Sequence, residues 1–178
     1  MSAVIAICLT GFLIYNNHKQ LPTEDDVFNI TKNWSLPTEE VYFVRKIEGE
    51  WLTIFKSTRS NTIARLEQNW LGDWKMKDYS GYEGTVASVS LDYLPSEAES
   101  FNWTAGSSIK TSHYFGQIYN PDIKQIKAET EKNFFEDALI INSGENRFFL
   151  AISNGELVLP VNIKGYSNTG ELIYSTVK

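Results

Sequence analysis

The chain reads as a mainly β protein: an antiparallel meander followed by a second antiparallel sheet, sandwich-like or as two subdomains, behind one short N-terminal helix. Three observations predict this class. Apolar and polar residues alternate with a period of two through much of the chain after Glu39. Gly, Asn and Asp interrupt that alternation at spacings that suit hairpins. Aromatic residues make up 13% of the sequence, a payload of rings that suits a packed core and not a disordered chain. With 178 residues there is material for one domain and a short leader, and the composition calls for no cofactor to complete the fold.

Residues 1–16 read as a membrane anchor or uncleaved signal segment. The run Ala3-Val4-Ile5-Ala6-Ile7-Cys8-Leu9-Thr10-Gly11-Phe12-Leu13-Ile14-Tyr15 is almost unbroken in its apolarity and gives way at once to Asn16-Asn17-His18-Lys19-Gln20. It is shorter than the roughly 20 apolar residues of a spanning helix and has no basic residue before it, so the segment is expected to start upstream of Met1. Ile7 stands where a lipobox needs a small residue, which argues against lipidation of Cys8. No small-x-small cleavage site follows Ile14, and an uncleaved single-pass anchor is therefore favoured over a cleaved signal or a buried helix of a cytosolic protein. Lys19, the one nearby cation, would by itself hold the body in the cytoplasm.

Residues 17–38 form a linker and a short helix. Thr23 can cap the helix with Asp26 three residues on, and Glu24, Asp25 and Asp26 suit the positive end of its dipole, which accounts for the acidic triplet without a metal. Val27, Ile30 and Trp34 share one face, and the helix should stop near Asn33, ahead of Pro37.

Residues 39–178 read as one β-rich domain, the body of the protein. Val41, Phe43 and Ile47 alternate with Tyr42, Val44 and Lys46; Glu48-Gly49 turns the chain; Trp51, Thr53 and Phe55 then face away from Leu52 and Ile54. After a turn at Arg59-Ser60-Asn61, a strand over 62–71 sets Ala64, Leu66 and Trp70 against Arg65, Glu67 and Asn69, and Gly72-Asp73 leads into a strand over 74–79. That completes a four-stranded meander across 40–80. A strand is expected over 85–91 and a surface loop over 94–100, with the stretch 81–113 otherwise the least legible. Further strands fall at 114–119, at 134–142, at 147–153 and at 157–164, with turns at Asn120-Pro121-Asp122, Gly144-Glu145 and Asn154-Gly155 and a closing hairpin over 165–174.

The stretch Val44-Arg45-Lys46-Ile47-Glu48-Gly49-Glu50-Trp51-Leu52-Thr53-Ile54-Phe55, with Leu66-Glu67-Gln68-Asn69-Trp70-Leu71-Gly72-Asp73-Trp74-Lys75-Met76, resembles small membrane-anchored extracytoplasmic proteins of unknown function from spore-forming, low-GC Gram-positive bacteria. Gly116-Gln117-Ile118-Tyr119-Asn120-Pro121-Asp122 and the closing Gly165-Tyr166 to Ile173-Tyr174 are similar to the tail of the same proteins. The resemblance implies that the body faces outward, against the reading of Lys19, and brings no catalytic residues with it.

The chemistry of the body is narrow. A net charge of -6 excludes a nucleic-acid partner, since phosphate binding needs a cationic surface, and Arg45, Lys46, Lys75 and Lys77 are all interleaved with acids. Cys8 is the single cysteine, so the body has neither disulfides nor thiolate chemistry. His18 falls in the linker, and His113, flanked by Thr111, Ser112 and Tyr114, reads as a surface residue of a polar loop. There is no Gly-x-Ser-x-Gly elbow, phosphate-cradling loop, His-x-x-x-His or calcium loop. Paired carboxylates at Glu39-Glu40, Glu97/Glu99, Glu129/Glu131 and Glu136-Asp137 read as solvated charges.

Tryptophan is the feature that suggests a ligand. Trp51, Trp70 and Trp74 all fall in the first meander, and rings exposed on a sheet stack on sugars and peptides. Alternation predicts that Trp70 is buried with Ala64 and Leu66 and that Trp74, beside a turn, is partly exposed. The expectation is a non-enzymatic binding or interaction module for an envelope protein, peptide or wall polymer, using Trp51 and Trp74 and no catalytic residue, metal or cofactor. The alternatives are a carboxylate-dependent envelope hydrolase and an accessory subunit of a membrane complex.

Overall fold

A computed structural model describes residues 2–47, 49–77, 85–91, 100–107 and 111–177. The chain is mainly β and gathers into two compact units, one of residues 1–58 with 64–85, the other of 59–63 with 86–178.

The first unit opens with helix α1 (Ser2–Asn17), which covers the apolar leader. No helix among the described residues is long and apolar enough to cross a membrane. Helix α2 (Glu24–Thr31) begins as its sequence predicts: the Thr23 hydroxyl accepts from the Asp26 N–H, and the Asp26 carboxylate accepts from the Thr23 N–H at 2.8 Å. That capping box satisfies helix-end donors and leaves the acidic triplet at the favourable end of the dipole.

Strands β1 (Glu40–Ile47), β2 (Glu50–Lys56), β3 (Ser60–Gln68) and β4 (Trp74–Met76) follow one another in an antiparallel meander, the order read from the alternation. Gly49, at φ +90°, closes the first hairpin in a conformation other residues avoid. Val27 of α2 is fully buried with Phe55, Ala64, Leu66 and Met76, and Trp34, Trp51 and Trp74 pack around that cluster. The opposite face of β2 is also buried, at Leu52 and Ile54. Burial of both faces brings a charge inside: Arg65 Nε lies 2.5 Å from Glu50 Oε2, and Lys77 Nζ lies 3.0 Å from the other oxygen, so one carboxylate is shared between two cations.

Tyr42 on β1 makes a measurable prediction. Burial pushes its phenol up from 10.0 to about 12, helped by the neighbouring Glu40 and Glu39 charges. The folded state thus keeps a proton that the unfolded chain releases above pH 10, and stability should fall as the pH rises from 10 towards 12. In urea unfolding, the midpoint of Tyr42→Phe should fall less over that window than the wild type's; equal slopes would show that Tyr42 is not the group responsible.

In the second unit, β5 (Thr85–Ser90) pairs with β3, and the Thr62 and Ser88 hydroxyls meet at 2.9 Å. One four-stranded sheet runs β10 (Leu139–Ser143), β11 (Asn146–Asn154), β7 (Thr111–Gln117), β6 (Thr104–Ser107); the other runs β13 (Leu172–Ser175), β12 (Ile163–Tyr166), β8 (Gln125–Glu131), β9 (Phe134–Asp137). Tyr114, Phe149 and Ala151 of the first share one buried cluster with Ile126, Ala128 and Ile163 of the second, with Phe101, Ile118 and Ile123 filling between, so the two sheets pack as a sandwich.

Three expectations need correction here. The strand expected over 134–142 is two strands in different sheets: β9 pairs with β8, β10 pairs with β11, and the chain crosses over at Ala138, whose N–H still bonds the Ile126 carbonyl at 2.8 Å. The strand expected over 157–164 begins only at Ile163, since Pro160 has no N–H to give a ladder. Strand β7 begins at Thr111, before the expected 114. Of the loop expected over 94–100, residues 94–99 lie outside the described residues.

Candidate functional site

The end of α1 and the turn between β3 and β4 are joined by small polar groups. Strand β3 stops at Gln68 because the side chain of Asn69 takes over the next donors: its Oδ1 accepts from the N–H of Leu71 at 2.8 Å and of Asp73 at 3.0 Å, a local turn that competes with the ladder. Gly72 then passes so close to α1 that a Cβ would lie 2.6 Å from the Asn17 Cβ and 2.8 Å from the His18 nitrogen, and its φ of +87° suits only glycine. Gln68 Nε2 reaches the carbonyls of Asn17 and Gly72, both at 3.0 Å, and His18 Nε2 lies 3.3 Å from the Trp70 carbonyl. One of the carbonyls that end α1, that of Asn17, thereby gains a side-chain partner.

Beside this joint is a cleft of about 320 Å³ lined by Asn17, Gln20, Asp26, Asn29, Ile30, Gly72, Asp73 and Trp74. Of the two residues singled out from the sequence, Trp74 lines this cleft and Trp51 does not, though the two rings are in contact. Trp51 and Trp74 meet edge to face, with centroids 6.0 Å apart and planes at 73°, and Trp74 Nε1 donates to the Gln20 carbonyl at 3.3 Å. Both rings are half-buried, packed below on the α2 cluster, so Trp74 offers part of one ring to the cleft and not a bare platform. The carboxylates already have work: Asp26 holds the Thr23 cap, and Asp73 Oδ2 accepts from Asn69 Nδ2 at 3.2 Å. An aromatic ring surrounded by amides and oriented acceptors can hydrogen-bond a polyhydroxylated or peptide ligand and stack on it.

Trp70 is not where alternation placed it. It is 77% exposed, because the strand ends two residues earlier and the turn carries the ring away from Ala64 and Leu66. His113 is likewise no surface residue; it is buried in β7 between Ile152 and Gly106 on the neighbouring strands, on the same face as Phe115. Trp34 packs edge-on to Phe55, and Trp103 is 39% exposed in the second unit.

The carboxylate pairs serve the fold. Glu39 accepts from the Thr58 hydroxyl at 2.8 Å; Glu129 accepts from the Asn133 N–H and from Asn162 Nδ2; Asp137 accepts from Gln125 Nε2 at 2.8 Å. Glu97 and Glu99 lie outside the described residues. Among the described residues, no three His, Cys, Asp or Glu side chains gather as metal ligands would. Gln20, Asn17, Gln68 and Gly72 went unread in the sequence as site residues; only the Gly72-Asp73 turn signal marked the place.

Comparisons with models of known protein families, with curated proteins and with solved structures find no match.

Proposed function

We propose that the chain is a membrane-anchored, extracytoplasmic, non-enzymatic binding module, with α1 in the lipid and the cleft beside Trp74 receiving a peptide or a wall polymer. The observation that carries the anchoring is the bareness of α1: Ile5, Ile7, Leu9, Phe12, Leu13 and Tyr15 are each 55% to 72% exposed. At about 100° per residue Ile5, Leu9, Phe12 and Leu13 fall on one side of the helix, while Ile7 and Ile14 stand on the opposite side, so the helix is apolar on both. A helix apolar on opposite sides belongs in a core or in lipid, and the contacts described between this one and the β3–β4 turn lie at its polar end. The outward orientation is supported by the resemblance to membrane-anchored proteins of Gram-positive bacteria.

The full chain, freed of detergent in the presence of phosphatidylcholine vesicles and spun through a density gradient, should float with the lipid; protein left at the bottom overturns the anchoring. The cleft is tested on the same preparation by thermal unfolding against wall oligosaccharides and peptides. A ligand at about 100 times its Kd stabilises the folded state by roughly 2.7 kcal/mol, and the accompanying change in tryptophan emission should be absent in Trp74→Ala. A rise in melting temperature that survives Trp74→Ala with its emission change intact would move the site elsewhere.

A further inference from the structure

We infer that the β3–β4 turn is a second point of membrane contact, with Trp70 seated in the headgroup layer beside the polar end of α1. The inference rests on the reading of α1 as a lipid-embedded helix and adds a surface on the body that fixes how deep that helix sits.

A tryptophan exposed to 77% at the tip of a turn needs an explanation, because its ring loses more by facing water than almost any side chain. The turn is also rigid. Asn69 closes it with two backbone bonds, Gly72 N donates back to the Asn69 carbonyl at 3.0 Å, and the flank at Gly72 has no space between it and Asn17. Trp70 is therefore held in place by the structure around it and is bonded through its carbonyl to His18, one residue past the end of α1.

That position coincides with the change from apolar to polar along the helix. Tyr15 is 59% exposed at the same end, and Lys19 Nζ lies 4.2 Å above its ring. Aromatic rings with a polar edge, accompanied by a lysine that lays its stem along them, are the side chains that settle at a bilayer interface. The Trp70 turn is fixed to this end of the helix through Gly72 and His18, which sets it at the level of Tyr15 and Lys19. Lipid is the occupant favoured over a protein groove because α1 carries apolar side chains on opposite sides, where a groove would need a single stripe. Trp70 is also not among the residues lining the cleft at Trp74, so its exposure is not explained by that site.

The test uses the full chain, as wild type, Trp70→Ala and Trp70→Phe, with phosphatidylcholine vesicles whose acyl chains are brominated near the headgroup. Expected are wild-type flotation, a partition about tenfold weaker for Trp70→Ala at unchanged melting temperature, and loss in Trp70→Phe of the part of the emission that shallow bromine quenches. Flotation of Trp70→Ala at wild-type strength, with quenching unchanged in Trp70→Phe, would overturn this inference and leave α1 as the anchor. A wild type that does not float overturns both. Shielding of Trp70 from aqueous acrylamide in concentrated protein without lipid would assign the turn to a contact between copies instead, and overturns the lipid assignment.

Discussion

Gly116→Ala is expected to destabilise the second unit by more than about 3 kcal/mol, a large share of the stability of an ordinary domain. Gly116 lies in the middle of β7, buried on both faces, and pairs in register with Phe149 on β11. A Cβ there would run into the Asn102 carbonyl oxygen and the Phe149 ring, whose Cζ would be 2.6 Å away. Neither obstacle can give. Asn102 is tied to the same strand by its own N–H to the Gln117 carbonyl at 3.1 Å and by its side-chain oxygen, which accepts from the Gln117 N–H at 2.9 Å. The Phe149 ring is held edge-on by Phe101 at 5.4 Å, and Phe101 by Tyr174 at 4.9 Å, so moving one ring moves three. Gly106→Ala, on the adjacent strand β6, is the control: a Cβ there meets nothing within 4 Å, and the loss of unfolded-state freedom should leave stability unchanged or raised by about 0.4–1 kcal/mol. Urea unfolding of the two variants followed by circular dichroism measures the difference. Similar midpoints would mean that β7 can shift away from Asn102, against the packing described.

How legible these features were depends on whether they arise from neighbours in sequence. The first meander was legible because one face of each strand meets the α2 cluster, so Phe55, Ala64 and Leu66 fall on alternate positions that the eye can follow. The capping box of α2 was legible for the same reason, as Thr23 and Asp26 answer one another across three residues. Alternation misled at Trp70 because it says nothing about where a strand stops, and the Asn69 side chain stops β3 by bonding locally. Sequence reading misled at 134–142 because no Gly, Pro or Asn stands between Phe134 and Ile141, so a change of sheet at Ala138 leaves no turn signal. His113 was misplaced because its neighbours Thr111 and Ser112 look like a loop, whereas in the fold they pair with Asn154 and Ser153. In the candidate site, Trp51 and Trp74 were found by residue type alone. The amides around them were not, since Gln68 meets Asn17 across 51 positions and an amide that caps a distant helix has no signature of its own.

Two glutamates on α1 should remove the protein from membranes while leaving its body intact. Leu9 stands near the middle of α1 and Leu13 one helical turn nearer its polar end; they are 58% and 60% exposed, so neither contributes much packing to the fold. Placing an ionised side chain at the centre of a spanning helix costs about 2.5–3.5 kcal/mol on insertion scales and less nearer the interface, so the two together cost roughly 5 kcal/mol, between three and four orders of magnitude in partition. The Leu9→Glu, Leu13→Glu variant should therefore stay at the bottom of the flotation gradient at neutral pH. Its melting temperature in detergent-free buffer should match that of the wild type, because the joint at Gly72 and Gln68 does not involve those positions. The sign of the pH dependence separates burial in lipid from a general loss of affinity. Apolar surroundings favour the neutral carboxyl, so partition should recover as the pH is lowered and both glutamates take up protons. Glutamine at the same two positions should float more than glutamate at neutral pH and show no such recovery. A double-glutamate variant that floats like the wild type would place α1 outside the lipid; one that melts well below the wild type would place its leucines in a packed core.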